Sequence, residues 1–142
     1  MIKSAKRILV VCSQNRLRSV LGSEALGALR PDLRIESAGI SSDGHRFGRK
    51  PDKRTRDIIQ GRYGLDVSDY RSHAATEEMI KRADRILAFS NHSCKELVKC
   101  FPAEQGKIEL FCQRSVSAWN VKPTEIFEQD ILPAAEHWTS LL

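Results

Sequence analysis

The sequence of 142 residues lacks any long apolar run. A helix that crosses a bilayer needs about 20 consecutive apolar residues, and the core of a secretory signal needs at least about 7. The apolar stretch nearest the N-terminus is only ILVV, at residues 8–11. We therefore predict no membrane association and a cytoplasmic location.

Cysteine is scarce and scattered. Four cysteines are present, at positions 12, 94, 100 and 112. Their number and spacing do not suit a disulfide framework, and the paired C-x-x-C spacing of a zinc site is absent. The sequence predicts reduced thiols and no metal site, and any one of these thiols could act as a nucleophile.

Aromatic residues are also few, with two Trp, two Tyr and five Phe. Nucleic-acid binding is therefore not favoured, because no stacking pattern accompanies the positive charge. The net charge of +5 is nevertheless unevenly placed, since seven cations between Gly44 and Arg62 face only Asp52 and Asp57. Such a cluster attracts anions, although a merely solvated basic face is an equal interpretation.

Short apolar runs alternate with segments of helical spacing along the whole chain. Strands are predicted at 6–11, 33–39, 85–89 and 107–112. Helices are predicted from an N-cap at Ser19 to Pro31, at 52–63 before Gly64, after Thr76, at 92–100 before Pro102, and from 124 to the end with an interruption or restart at Pro133. This order predicts one domain over residues 1–142, an α/β fold with a small four-stranded parallel sheet, doubly wound, with helices on both faces. Ligands of such sheets bind at the carboxyl ends of the strands.

The segment RILVVCSQNRLRS, residues 7–19, places Cys12 at such an end. The loop that follows can turn several backbone N–H groups toward one point, and the next helix adds its positive end, so an anion pocket is expected. This field favours a thiolate at Cys12, and Arg18 can hold a phosphate through two parallel hydrogen bonds. The C-x5-R-S pattern thus predicts in-line attack on a phosphate ester and a phosphocysteine intermediate, without metal or cofactor. A buried thiol with surface arginines is the alternative interpretation.

At these residues the sequence resembles the low-molecular-weight protein tyrosine phosphatase family. The resemblance continues in ESAGI, HRFGRKPDKR, YGLDVSDYRSHAAT and ADRILAFSNHSCKELVKCFP, so it covers most of residues 6–112. It implies that Cys12 is the nucleophile, Arg18 the phosphate clamp and Ser19 an activator of the thiolate. It also implies a phosphate-binding loop and two supports for that loop. The loop consists of Ser13, Gln14, Asn15, Arg16 and Leu17, and the supports are Ser37 and Tyr70, where Tyr70 aligns with a histidine of the family.

The resemblance fails at the general acid. The family supplies an Asp-Pro pair before the last helix, whereas Lys122 precedes Pro123 here. An ammonium group with an ordinary pKa is a poor proton donor to a leaving oxygen. Glu125 is the candidate replacement, and Asp130 is predicted to lie too far into the helix.

Three functions are compatible with this pattern. The first is hydrolysis of phosphate monoesters, with a phosphorylated protein carrying phosphotyrosine or a small phosphoester as substrate. The second is thiol-dependent arsenate reduction, for which Cys94 and Cys100 would supply the further thiols. The third is a non-catalytic phosphate- or phosphoprotein-binding module, because Lys122, Tyr70 and Ser90 all depart from the catalytic set. The sequence indicates no oligomeric state.

Overall fold

The computed structural model describes residues 6–40, 47–112 and 122–142. Its sheet contains the strands β1 (Arg7–Cys12), β2 (Arg34–Gly39), β3 (Arg85–Ala88) and β4 (Ile108–Leu110). They are parallel and lie in the order β2-β1-β3-β4. The register pairs Cys12 with Gly39 and Val11 with Ala88, so the carboxyl ends of the strands meet at one edge. The predicted four-stranded parallel sheet is confirmed.

Helices cover both faces of this sheet. They are α1 (Arg18–Leu29), α2 (Lys53–Tyr63), α3 (Glu77–Arg82), α4 (Asn91–Cys100), α5 (Pro123–Ile126) and α6 (Leu132–Thr139), with a 3-10 turn at Pro102–Lys107 and a π turn at Phe127–Ile131. In β1, Ile8, Val10 and Cys12 join the core on one face, while Leu9 and Val11 join the core on the other. The run is apolar without alternation because both faces of the sheet are covered.

The ends of α2 follow the predicted signals. Asp52 is the N-cap, and its carboxylate accepts a hydrogen bond from the Arg54 N–H. Gly64 ends the helix in the left-handed region at φ 65°, where glycine has no steric penalty. Asp52 and Gly64 therefore set the two ends of α2.

The predicted N-cap of α1 was wrong. The helix begins at Arg18, with Leu17 at the N-cap and no side-chain cap, so Ser19 is the second helical residue. The Ser19 hydroxyl cannot cap the helix because it is engaged with Cys12 and Asn15. Ser19 is thereby turned toward the thiol.

One C-terminal prediction differs from the structure and one agrees with it. β4 is shorter than the predicted 107–112, because Lys107 belongs to the 3-10 turn and pairing with β3 ends at Leu110. The last helix restarts at Pro133 as predicted, because a π turn precedes α6 and Pro133 lies in the first turn of α6. The π turn before it lets the Leu132 N–H donate to the Phe127 carbonyl, and the widened turn accommodates the proline at the start of α6. In the described residues no helix combines the length and apolar character needed to cross a membrane.

Candidate active site

The loop between β1 and α1, residues 13–17, lies at the carboxyl edge of the sheet. Cys12 is the last residue of β1, is buried, and accepts a backbone hydrogen bond from the Ile40 N–H at 3.1 Å. The structure thus places the thiol where the topology predicts a ligand site.

The backbone N–H groups of this loop are available to a ligand. Within the described part of the chain, none of the N–H groups of residues 13–17 donates a hydrogen bond to another protein group. Residues 13–17 are themselves buried or half-buried, and most backbone N–H groups in such surroundings have a partner, so five in a row without one are unusual. Together with the N-terminus of α1, they provide donors for one anion.

Asn15 holds the loop in shape. It is fully buried and adopts the left-handed backbone conformation at φ 57°, which asparagine tolerates better than most residues. Its Nδ2 donates to Ser19 Oγ at 2.9 Å and to Ser37 Oγ at 3.1 Å. Its Oδ1 accepts from the Tyr70 hydroxyl at 2.5 Å and from the His73 N–H at 3.2 Å. All the hydrogen-bonding positions of the amide are therefore used.

This network orients the Ser19 hydroxyl. Cys12 Sγ lies 3.0 Å from Ser19 Oγ. When the sulfur is neutral, its S–H donates to Ser19. Since Ser19 Oγ already accepts from Asn15, its own proton is free to turn to a thiolate, which then accepts the bond.

Tyr70 acts as a donor in this network. The Ser37 and Tyr70 hydroxyl oxygens are 2.7 Å apart, and Asn15 Oδ1 can only accept, so Ser37 donates to Tyr70 and Tyr70 donates to Asn15. Burial raises the pKa of Tyr70, against the lowering effect of the Ser37 and Asn15 hydrogen bonds. The phenol consequently keeps its proton throughout the physiological range. The structure brings both predicted supports to the loop.

Arg18, the first residue of α1, places a cation directly after the loop. Its guanidinium makes no hydrogen bond or ion pair with any residue that the structure describes. It acts electrostatically on Cys112, where burial, the main effect, and the charge of Asp130 raise the pKa to about 12 while Arg18 lowers it. Cys112 therefore stays a neutral thiol, and its sulfur donates to the Asp130 carbonyl at 3.6 Å.

The remaining loop side chains have different surroundings. Arg16 Nε donates to the Lys50 carbonyl at 2.9 Å, and Leu17 packs against the core. Ser13 and Gln14 are half-buried. The predicted phosphate-binding residues thus lie together in one loop, where their backbone rather than their side chains can meet an anion.

The candidate acids lie around the start of α5. Lys122 is the exposed N-cap, and Glu125 is exposed in the first turn. The neighbouring residues 113–121 lie outside the described part of the chain, and they contain neither Asp nor Glu. Glu125 is accordingly the first carboxylate after β4 in the sequence.

Cys94 and Cys100 are both free thiols on α4. Cys94 packs against the core on the face of the sheet opposite to that of Cys12, and burial raises its pKa. The structure does not bring these two thiols to the loop of residues 13–17. Among the described residues no group of three or more His, Cys, Asp or Glu side chains could hold a metal ion.

Two contributors to the site were missed in the sequence. The His73 N–H donates to Asn15, and the Lys50 carbonyl accepts from Arg16. Both residues contribute a backbone group, so the identity of their side chains could not predict these contacts.

Comparison with known proteins agrees with this geometry. The sequence profile of the low molecular weight phosphotyrosine protein phosphatase family matches residues 7–123. The chain belongs to this family. The family assignment includes the strand, loop and helix that carry Cys12, Arg18 and Ser19.

Individual relatives of this phosphatase-family protein are moderately similar. The low molecular weight protein-tyrosine-phosphatase Ptp of Acinetobacter johnsonii is 34% identical over 102 residues, which are 72% of this chain and 69% of the relative. The structure of Wzb from Vibrio vulnificus in complex with benzylphosphonate matches with a TM-score of 0.83 and 26% identity, over 98% of this chain and 100% of the other. The tyrosine phosphatase AmsI of Erwinia amylovora matches with a TM-score of 0.81 and 26% identity, over 98% and 94% of the two chains.

Proposed function

We propose that this protein hydrolyses phosphate monoesters, with phosphotyrosine in proteins as substrate, through a phosphocysteine intermediate on Cys12. One observation carries the proposal. A buried thiol begins a loop whose five N–H groups, and the guanidinium of Arg18 that follows them, have no hydrogen-bond or ion-pair partner among the described residues. A tetrahedral dianion satisfies both the amides and the guanidinium, and it places phosphorus next to the sulfur.

In the first step Cys12 Sγ attacks phosphorus. The S–P bond forms while the P–O ester bond breaks, and the electron pair leaves with the oxygen. The loop amides and Arg18 hold the three equatorial oxygens as their charge develops. We assign the proton for the leaving oxygen to Glu125, because residues 113–121 contain no carboxylate.

In the second step water attacks the phosphocysteine. The S–P bond breaks, inorganic phosphate is released, and the carboxylate that gave its proton takes one from the water. The sulfur leaves as a thiolate, which the Ser19 hydroxyl stabilises through the 3.0 Å contact.

The substrate class is supported by the relatives. The Vibrio vulnificus Wzb structure contains benzylphosphonate, which combines a tetrahedral phosphorus with an aromatic ring, as phosphotyrosine does. The Acinetobacter johnsonii relative is named a protein-tyrosine-phosphatase. We also propose a cytoplasmic location, on the basis of four cysteines whose spacing suits neither a disulfide framework nor a zinc site.

A second candidate function is phosphate or phosphoprotein binding without turnover. It is favoured by Lys122, which by the resemblance stands where the family has its general acid, while Cys12, Arg18 and Ser19 of the C-x5-R-S pattern are present. Loss of general acid catalysis lowers a rate by about 10²- to 10⁴-fold, which would leave binding as the main property toward poor leaving groups.

Turnover of para-nitrophenyl phosphate separates the two functions, because this leaving group needs little protonation. We expect the wild type to release nitrophenol and Cys12→Ser to be inactive while it still binds inorganic phosphate. Phosphate binding without turnover by the wild type would favour the binding module. Equal turnover by both proteins would exclude Cys12 as nucleophile.

A further inference from the structure

A second segment, residues 47–54, lies against the loop of residues 13–17 that follows Cys12. We call residues 47–54 the rim segment. Arg16 Nε donates to the Lys50 carbonyl at 2.9 Å, and the Asp52 N–H donates to the Arg16 carbonyl at 3.1 Å. These two bonds tie the rim segment to the loop that carries the phosphate donors.

The other side of the rim segment is tied to Ser72. The Arg49 N–H donates to Ser72 Oγ at 3.0 Å, and the Ser72 N–H donates to the Arg49 carbonyl at 2.8 Å. The Phe47 ring contacts Gly39 at the end of β2, so close that a Cβ added there would lie 2.5 Å from the ring. The same added atom would lie 2.8 Å from the Ser13 carbonyl, which places the aromatic ring next to the start of the loop. The rim segment is therefore held on both sides, mostly through its backbone.

Its charges are unequally compensated. Lys53 pairs with Asp57 at 2.8 Å and Arg54 pairs with Asp52 at 2.9 Å. By contrast, Arg16, Arg49 and Lys50 have no carboxylate within 4.0 Å in the described residues. Arg49 and Lys50 are exposed. The Arg54 and Ser68 hydrogen bonds are the main causes of the lowered pKa of Asp52 and Asp66, and Arg16 and Lys50 add to this lowering. Within the described ranges, the cations without a direct ion pair are thus those of the loop itself and of the part of the rim segment bonded to it.

We infer that these three cations bind a second anionic group on the substrate, so that this protein selects phosphotyrosine flanked by acidic side chains. The inference rests on the proposed function and adds the substrate's sequence context to it. Carboxylates next to the phosphotyrosine would meet cations on a backbone that is already ordered, and such contacts are screened by salt. A nucleic acid is a poorer fit, since three cations beside one aromatic ring provide neither a continuous phosphate track nor a series of stacking surfaces.

The test uses binding, so that it does not depend on turnover. Fluorescently labelled phosphotyrosine peptides with acidic, neutral or lysine flanks are titrated with the Cys12→Ser protein, and anisotropy gives each Kd. Two further proteins each add one pair of substitutions to Cys12→Ser. The rim variant carries Arg49→Gln and Lys50→Gln, and the α4 variant carries Lys95→Gln and Lys99→Gln. The second pair is the matched control, because it removes two exposed cations from α4. The rim substitutions leave the ties of residues 49 and 50 intact, since those use backbone atoms.

We expect the acidic peptide to bind about tenfold more tightly than the neutral one, as for two exposed ion pairs. The ratio of the Kd of the neutral peptide to the Kd of the acidic peptide should fall toward one in the rim variant and at high salt. In the α4 variant this ratio should stay at about ten. Equal affinities for all peptides, an unchanged ratio in the rim variant, or no peptide binding would overturn the inference. So would tighter binding of a single-stranded oligonucleotide than of the acidic peptide. Failure of the wild type to hydrolyse para-nitrophenyl phosphate would instead overturn the proposed function and leave the measured ratio standing.

Discussion

At the scale of single residues, the site depends on a closed set of hydrogen bonds rather than on one side chain. Asn15 uses every donor and acceptor of its amide, and each partner has only one compatible direction of donation. This arrangement fixes the Ser19 hydroxyl toward Cys12 in both protonation states of the sulfur. A substitution at Tyr70 should therefore change the orientation of the Ser19 hydroxyl relative to the Cys12 thiol.

Tyr70→Phe tests this coupling. The substitution leaves the proton of the Ser37 hydroxyl without an acceptor and one lone pair of Asn15 Oδ1 without a donor, so we expect the free energy of unfolding to fall by about 1–3 kcal/mol. We expect kcat to fall about tenfold, from about 1.4 kcal/mol of lost positioning, with little change in KM. Tyr63→Phe is the matched control, because Tyr63 packs edge-on against Phe127 and is not one of the hydrogen-bond partners of Asn15. Equal kcat values in the two variants would argue against a positioning role for Tyr70.

Cys112 provides a prediction about pH. Burial raises its pKa from the ordinary 9.0 to about 12, so the folded protein keeps the proton that the unfolded chain loses. The stabilising effect is complete below about pH 9 and is lost as the pH rises through about 12. The free energy of unfolding should thus fall by about 1.4 kcal/mol per pH unit in this window because of Cys112.

The measurement is denaturant unfolding of the wild type and Cys112→Ala at several alkaline pH values. The wild type should show the steeper decline, and the exposed Cys100, replaced in Cys100→Ala, should leave the slope unchanged. Parallel slopes for the wild type and Cys112→Ala would contradict a buried neutral thiol at this position.

At the scale of elements, local signals predicted most boundaries correctly. Asp52 and Gly64 bound α2, and Thr76 caps α3, because capping and left-handed termination are local events. The start of α1 was misplaced because Ser19 is a good N-cap by type, yet a tertiary contact with Cys12 uses its hydroxyl. The last helix restarts at Pro133 as predicted, although the π turn before it carried no signal in the sequence.

Substitutions at Lys122, the N-cap of α5, test both the stability of the fold and the proposed proton donor. Lys122 is the N-cap but provides no side-chain cap, and its positive charge faces the positive end of the helix. Lys122→Asp and Lys122→Asn should each stabilise the fold, by about 0.5–2 kcal/mol, because both residues are good caps. Only the aspartate also supplies a proton donor.

Glu125 lies three residues beyond the position of the family's acid, so an aspartate at 122 should be the better donor. We therefore expect Lys122→Asp to raise turnover of phenyl phosphate, by up to about 10²-fold, and to leave that of para-nitrophenyl phosphate almost unchanged. Lys122→Asn should match the aspartate in thermal stability and the wild type in rate. A wild type that already hydrolyses both esters at equal rates would show that another acid, with Glu125 as our candidate, is fully effective. Glu125→Gln would then lower the phenyl phosphate rate selectively.

At the scale of the whole molecule, parallel topology brings distant segments to one edge. The sequence predicted the sheet, the two-sided helix cover and the position of Cys12, since alternation of strands and helices determines them. It could not predict that the His73 N–H would reach Asn15, 58 positions away, or that Arg16 would bond to the Lys50 carbonyl, 34 positions away. These contacts use backbone groups, which every residue type possesses.

The central claim is that Cys12 becomes covalently phosphorylated during turnover, and acid quenching tests it most directly. The wild type is mixed with excess para-nitrophenyl phosphate, quenched in acid within the first turnovers, and digested for mass spectrometry. We predict a peptide that is heavier by one phosphoryl group, with the modification on Cys12, and no such peptide from Cys12→Ser. Rapid release of nitrophenol by the wild type without phosphoryl on Cys12, together with unchanged turnover in Cys12→Ser, would contradict the account.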